Sequence, residues 1–395
     1  MPTTPAHLAP PPARASCPGC GALALGDSFF LAQQPVILNY RFATAEAARA
    51  VARRDMRLRE CKNCGLVFNA ILDPAAIPYD ERYENRQNFS AGFTAMLEET
   101  ADLLTQRYSL QGGAVLEVGC GKGDFLTLLC ERARARGVGF DTSCEQSGAQ
   151  PDGRISFHRS YVTPDNVDQK FDLVVCRHVV EHVPEIGEFF RLLHGIAMAG
   201  GGSAVYVETP ALEWIIEHNA FWDVFYEHCN YFPTRTLRTL AEQAGFALLD
   251  HRLIFGGQYQ ALELRAGATT AERTPLTAHA GPMLGSFAGR FAESRREVES
   301  RLDEAGAATG WAIWGAGAKG VSLANALLAR PPSFVIDSNP SKQGMFLPAS
   351  GIPIVAPTDP KVADARVILV ANSNYLDEIR ATLAQQGIRP ELLSL

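Results

Sequence analysis

Eight residues, "FYEHCNYF" from Phe225 to Phe232, set two phenols (Tyr226, Tyr231), a carboxylate (Glu227) and an imidazole (His228) in an otherwise apolar stretch. Polar heads in such surroundings each need a partner, so a segment that only filled a core would avoid them. An imidazole near neutrality, with a carboxylate to orient it and hydroxyls beside it, suits removal of a proton and stabilisation of the charge left behind. The plain alternative for His228 is a buried histidine bonded to a backbone carbonyl.

Three further groups could do chemistry. In "VLEVGCGKGDFL" an acid, Glu117, precedes glycines at 119, 121 and 123, and Asp141 ends the next strand, "GVGFD". Glycines let backbone approach a ligand, and a carboxylate at that strand end can accept from both ribose hydroxyls. A third strand, "FDLVVCRHVVEHV", runs into a loop bearing Arg177, His178, Glu181 and His182. The pairs "CPGC" (Cys17, Cys20) and "CKNC" (Cys61, Cys64) fit tetrahedral zinc held by four thiolates, a structural site with no position left for water. The 40 residues between the pairs exceed the usual ribbon spacing, so they must carry strands of their own. Finally "WGAGAKG" has glycines at 315, 317 and 320 after a strand, with Asp337 ending the next one. About 85 residues remain from Trp311, room for one mononucleotide-binding half. Gly315 and Gly317 would cradle a diphosphate with Lys319 as countercharge and Asp337 near a ribose or base; helix–strand packing is the alternative.

The elements that must position these residues alternate. From residue 113, short β-branched runs interleave with periodic helices, which indicates a parallel, doubly wound α/β sheet. A helix is expected at about 88–108, and another carries one apolar stripe through Leu284, Phe287, Phe291, Val298 and Leu302. A second α/β unit follows it. In each unit an acid ends the second strand 22 positions after the first glycine, Gly119 to Asp141 and Gly315 to Asp337. The expected division is a disordered Pro/Ala leader at 1–16, a zinc-binding domain at 17–70, a cofactor-binding domain at 71–268, and a helical linker with a C-terminal α/β domain at 269–395. The linker begins at "GATTAERTP".

Bulk properties narrow the field. A chain of 395 residues exceeds one core. A net charge of −7 argues against a nucleic-acid partner, and no run of 18 apolar residues offers a membrane span. The N-terminus lacks an apolar signal core, and the nine cysteines are expected as thiols and ligands, so a cytoplasmic location is expected.

The acid followed by Gly-x-Gly-x-Gly, with Asp141 next, resembles the class I S-adenosylmethionine (SAM) methyltransferases over about 110–215. A dinucleotide site is disfavoured, because position 124 is Asp and Glu117 would face a pyrophosphate. The resemblance implies that Glu117, Gly119, Gly121 and Gly123 line the methionine portion and Asp141 the ribose, with Arg177 and His178 in the loop under the cofactor. The order of zinc domain, methyltransferase core and terminal α/β unit resembles the C-methyltransferases that act on nucleotide-linked 4-keto deoxysugars, from about residue 17 onward. "FYEHCNYF" is similar to that family's Tyr-(His/Glu)-His-x-x-Tyr-Phe signature. By that likeness Tyr226, Glu227 and His228 form an active-site triplet with His228 as base. Tyr79 or Tyr83 in "IPYDERYENRQNFS", and His182, would be further active-site groups. Asn85, Arg86 and Gln87 depart from the family's tyrosine and serines, which bears on the identity of the acceptor. The partner implied is a small nucleotide-linked molecule. An O- or N-methyltransferase on the same scaffold, or a non-catalytic adaptor with a relict core, are the alternatives.

Overall fold

The computed structural model describes residues 12–167, 169–267, 283–306 and 310–395. The chain opens with an antiparallel sheet of β1 (Leu25–Pro35), β2 (Arg53–Cys61) and β3 (Val67–Asn69), with a short helix α1 (Ala45–Arg49) between the first two strands. The long insert between the cysteine pairs is therefore one hairpin of two extended strands and a helix.

Helix α2 (Ala91–Arg107) comes next, capped by the Ser90 hydroxyl, which accepts from Phe93 N. It leads into β4 (Ala114–Val118), α3 (Asp124–Ala133), β5 (Arg136–Phe140), the two-residue β6 (Gly148–Ala149), β7 (Ile155–His158), β8 (Leu173–Arg177), α4 (Ile186–Ala199) and β9 (Ala204–Pro210). Strands β4, β5, β7, β8 and β9 are parallel. All five residues of β4 are buried, as a strand covered by helices on both faces requires. After α5 (Leu212–Glu217), β10 (Asn230–Tyr231) and α6 (Thr234–Gln243), a hairpin of β11 (Phe246–Ile254) and β12 (Tyr259–Ala266) joins antiparallel to β9. The sheet order is β11-β12-β9-β8-β4-β5-β7-β6. Strand β10 instead pairs with β3, so the first sheet is completed from the middle of the chain.

Helix α7 (Met283–Glu304) buries Leu284, Phe287, Val298 and Leu302, and its Phe287 and Phe291 meet Phe29 of β1 edge to face. The last unit runs β13 (Trp311–Trp314), α8 (Ala318–Ala326), β14 (Phe334–Ile336), β15 (Ile354–Val355), β16 (Val367–Val370), α9 (Leu376–Gln385) and β17 (Glu391–Ser394). It is an all-parallel sheet of order β15-β14-β13-β16-β17. In both α/β sheets the strand that feeds a glycine turn, β4 or β13, sits where the order of the parallel strands reverses. Crevices for ligands open at the carboxyl ends of such strands.

One expectation needs correction. Residues 12–16 are not loose leader: Arg14 N donates to Ala70 O, and its guanidinium donates to Pro184 O and pairs with Glu185. The linker expected at "GATTAERTP" lies mostly outside the described residues. No helix among the described residues is long and apolar enough to cross a membrane.

Candidate active site

One cavity of about 710 Å³ is lined by both glycine turns and by the histidine-rich loops between them. At one end the first turn leaves β4. Gly119, Gly121 and Gly123 all have positive φ, and a Cβ on Gly119 would lie 2.1 Å from Val179 Cγ2. Asp141 is fixed across it, accepting from Gly121 N at 2.9 Å and Ser143 N at 2.7 Å. Glu117 is buried beneath, with Oε2 unpartnered. Burial pushes its carboxyl up to about 8, although Arg177 nearby opposes this. A buried acid lacking one partner, next to backbone that can touch a ligand, fits a bound molecule carrying an ammonium group and a ribose.

Arg177 and His178 are held by Glu208 at the end of β9. Arg177 makes a two-pronged pair with Glu208 at 2.9 and 3.0 Å and covers the Phe125 ring at 4.3 Å. His178, itself at positive φ, has Nδ1 3.3 Å from Glu181 and Nε2 2.9 Å from Glu208. Burial alone would lower its pKa; the two carboxylates outweigh that and raise it to about 9. Both residues line the cavity, but their charges are already matched.

In the middle, Tyr79, Tyr83, His182, Glu227 and His228 come together. Tyr79 Oη is 2.9 Å from His182 Nδ1, which is also 3.0 Å from the Glu227 carbonyl. A carbonyl only accepts, so Nδ1 carries the proton and Nε2 keeps its lone pair. Tyr83 donates to Glu227 Oε2 at 2.7 Å, receives from Asn39 Nδ2 at 3.1 Å, and meets the Tyr79 ring edge to face. Burial raises the Glu227 carboxyl to about 7, against the bonds from Tyr83 and Leu38 N. The His228 ring lies 4.7 Å from that of His182 and 4.1 Å from Phe225, and no side-chain hydrogen bond engages it among the described residues. Burial and then the neighbouring His182, His178 and Lys319 hold its pKa well below the usual histidine value; burial also lowers that of His182. Both rings are thus neutral bases near pH 7.

Two roles expected around this cluster do not match the geometry. Tyr226 faces away from the cavity: its hydroxyl accepts from Asp73 N at 2.8 Å, tying two parts of the chain together. Glu227 does not orient the His228 ring, because both of its oxygens are used by Tyr83 and Leu38. Adjacent residues here point to different sides, which adjacency in sequence hides.

At the far end the second turn leaves β13. Gly315 has φ +103°, a Cβ on Gly320 would lie 1.8 Å from Gly315 O, and the space over Gly315 and Gly317 is open. Asp337 accepts from Ala316 N at 2.6 Å and Asn339 N at 2.7 Å, repeating the arrangement at Asp141. Lys319 lines the cavity, but its Nζ is 2.6 Å from Asp223 Oδ2 and 5.0 Å from the Trp214 ring centroid. It is not the free countercharge expected of it, because the Asp223 carboxylate, which lines the same cavity, already neutralises it. Sequence reading passed over Asp223, Glu208 and Lys342; each is an ordinary charged residue whose partner is remote in the chain.

The four cysteines of the two pairs converge outside this cavity, with all sulfurs within 4.8 Å of one another. Cys17 and Cys64 are 3.7 Å apart, and Cys20 and Cys61 are 3.6 Å apart. Four sulfurs around one zinc at its usual bond length would be about 3.8 Å apart, so the set fits a tetrahedral ion. Gly21 and Gly65, at φ +75° and +81°, close the two turns by donating to Cys17 O and Cys61 O. The Thr236 hydroxyl of α6 donates to Cys64 O at 2.6 Å, which ties the cluster to that helix.

A model of the methyltransferase domain matches residues 89–251, and one of the C-methyltransferase C-terminal domain matches 268–389. The fold and its cofactor turn are those of a SAM-dependent methyltransferase. Within that class the chain is similar to C-methyltransferases by the match at 268–389. It is 26% identical over 343 residues to the C-methyltransferase NovU of Streptomyces niveus, covering 81% of this chain and 80% of that one. It is also 34% identical over 114 residues to a ubiquinone biosynthesis O-methyltransferase of Bradyrhizobium sp. (strain ORS 278), covering 27% of this chain and 43% of that one. Among solved structures, magnesium protoporphyrin IX methyltransferase from Synechocystis PCC 6803 aligns with a TM-score of 0.35 and 15% identity, over 45% of this chain and 84% of that one.

Proposed function

We propose that the protein methylates the carbon beside a ketone on a nucleotide-linked keto-deoxysugar or a similarly activated carbonyl compound, with His228 removing the proton. The observation that carries this reading is a neutral imidazole, its ring free of hydrogen bonds among the described residues, facing the same cavity as the first glycine turn. Carbon needs such a base, since it becomes a nucleophile only as an enolate, whereas oxygen or nitrogen nucleophiles require less. Bound SAM supplies an electrophilic methyl group on a sulfonium.

Each remaining role follows from a local property. Glu117 would hold the ammonium of the methionine portion and Asp141 the ribose, each as an anion on the cofactor side. Tyr79, beside His182, would donate to the enolate oxygen as charge develops there. Tyr83 and Glu227 position this pair: the Glu227 side chain fixes Tyr83 while its carbonyl fixes the tautomer of His182. Gly315, Gly317 and Asp337 would take the diphosphate and ribose of the nucleotide. Cys17, Cys20, Cys61 and Cys64 would hold a structural zinc ion. The test is incubation with a panel of nucleotide-linked keto sugars in deuterated water. Deuterium should enter the carbon beside the ketone, and label from methyl-labelled SAM should appear on that same carbon. Label on oxygen, with no exchange at carbon, would replace this reading with O-methylation.

A further inference from the structure

The far end of the cavity contains a cation that the described residues leave without an anion. Lys342 is only 5% exposed and lines the cavity, yet its Nζ has one hydrogen bond, to Ala316 O at 3.1 Å within the second glycine turn. Among the described residues no carboxylate oxygen lies within 4.0 Å of it. An ammonium has three donors, so two remain unused in a place largely shut off from water. A buried charge left uncompensated destabilises the fold.

The other groups nearby are committed. Lys319 is neutralised by Asp223, and the Asp337 oxygens accept from Ala316 N and Asn339 N. Asn339 Oδ1 accepts from Ser341 while its amide reaches Glu84 at 3.4 Å. Lys342 is therefore the cation available at the turn, and Ala316 O holds it beside Gly315 and Gly317, where the space is open. The first turn of α8, with no side chain capping it, adds backbone donors on the same side.

We infer that Lys342 binds the diphosphate of the acceptor, completing an ion pair that the free protein lacks. The inference rests on the nucleotide-linked reading above and narrows it: the ligand must bring an anionic phosphate group to the second turn, and Lys342, not Lys319, meets it. Such a residue trades stability for binding. A lysine kept for its bond to Ala316 O would stabilise the free protein; one kept for a ligand's charge destabilises it until the ligand arrives.

The test is calorimetric titration of the full chain with uridine and thymidine diphosphate, and separately with inorganic pyrophosphate, on wild type, Lys342→Met and Lys342→Arg. At least one nucleoside diphosphate should bind wild type, and Lys342→Met should weaken it tenfold or more, with Lys342→Arg recovering most of the loss. SAM affinity should stay within twofold, which controls for folding. Lys342→Met should also melt at a higher temperature than wild type without ligand. Unchanged diphosphate affinity in Lys342→Met, or a lowered melting temperature in that variant, would overturn the assignment of Lys342 and leave the nucleotide reading standing. If wild type bound pyrophosphate and neither nucleoside diphosphate, or bound none of the three, the nucleotide reading and this inference would fall together.

Discussion

Replacing His228 with Asn removes the base while keeping a polar head of similar reach. Because no hydrogen bond among the described residues holds the ring, the fold should lose at most about 1 kcal/mol, mostly from contacts with Phe225 and His182. The chemistry should suffer far more. Loss of a positioned general base costs roughly 10²–10⁴-fold, or about 2.7–5.4 kcal/mol of barrier. His182 is 4.7 Å away ring to ring and neutral, but its Nδ1 is bound to the Glu227 carbonyl and its ring cannot swing into the vacated place without breaking that bond. The base works in its neutral form, and burial holds its folded pKa below the ordinary value. Activity should therefore be flat from above pH 7 down past 6.5 and decline only below that. Two assays decide the matter: methyl transfer from labelled SAM across pH, and solvent deuterium exchange at the acceptor carbon. Exchange in His228→Asn within threefold of wild type, at unchanged SAM affinity, would refute the assignment, as would a wild-type half-loss of activity at or above pH 6.5.

Other outcomes follow from the same geometry. Tyr226→Phe should leave methyl transfer within a few-fold, and cost about 1 kcal/mol in denaturant unfolding, because its hydroxyl serves Asp73 N and not the cavity. Glu117, at about 8 when the protein is free, is mostly protonated at pH 7; an ammonium beside it favours the anion. SAM binding should then release up to one proton and tighten as pH rises toward 8, seen by calorimetry in buffers of different ionisation enthalpy, and Glu117→Gln should abolish both effects. Purified protein should carry one zinc ion per chain by elemental analysis. Its removal by a strong chelator should unfold the first sheet, since such sites supply roughly 10–16 kcal/mol against a total stability of about 5–15. Circular dichroism and a lowered melting temperature would report that loss; an unchanged melt would argue against a structural ion.

Several features were legible from order and spacing alone because they are local. A turn of Gly119, Gly121 and Gly123 between a strand and a helix has few conformations open to it, and so does a Cys-x-x-Cys-Gly knuckle. The same holds for the alternation that yields parallel strands, and for the apolar stripe of α7. Local rules also explain the errors. Tyr226, Glu227 and His228 are consecutive, yet they reach Asp73, Tyr83 with Leu38, and the open cavity respectively. Which way each side chain points depends on partners 144 to 189 positions away for Glu227, and 153 for Tyr226.

What the sequence by itself determined is the kind of parts present: thiolates paired for a metal, two glycine turns each followed by an acid, and a cluster of proton-moving groups. Only the tertiary structure decided which charges are already matched and which face open space. Lys319 and Lys342 look alike in the chain, but Asp223 lies against one and no carboxylate lies within 4.0 Å of the other among the described residues. A charge acts according to its distance from other charges and from water, and in this protein those distances are set by two α/β sheets whose strand ends line one cavity, not by neighbours along the backbone.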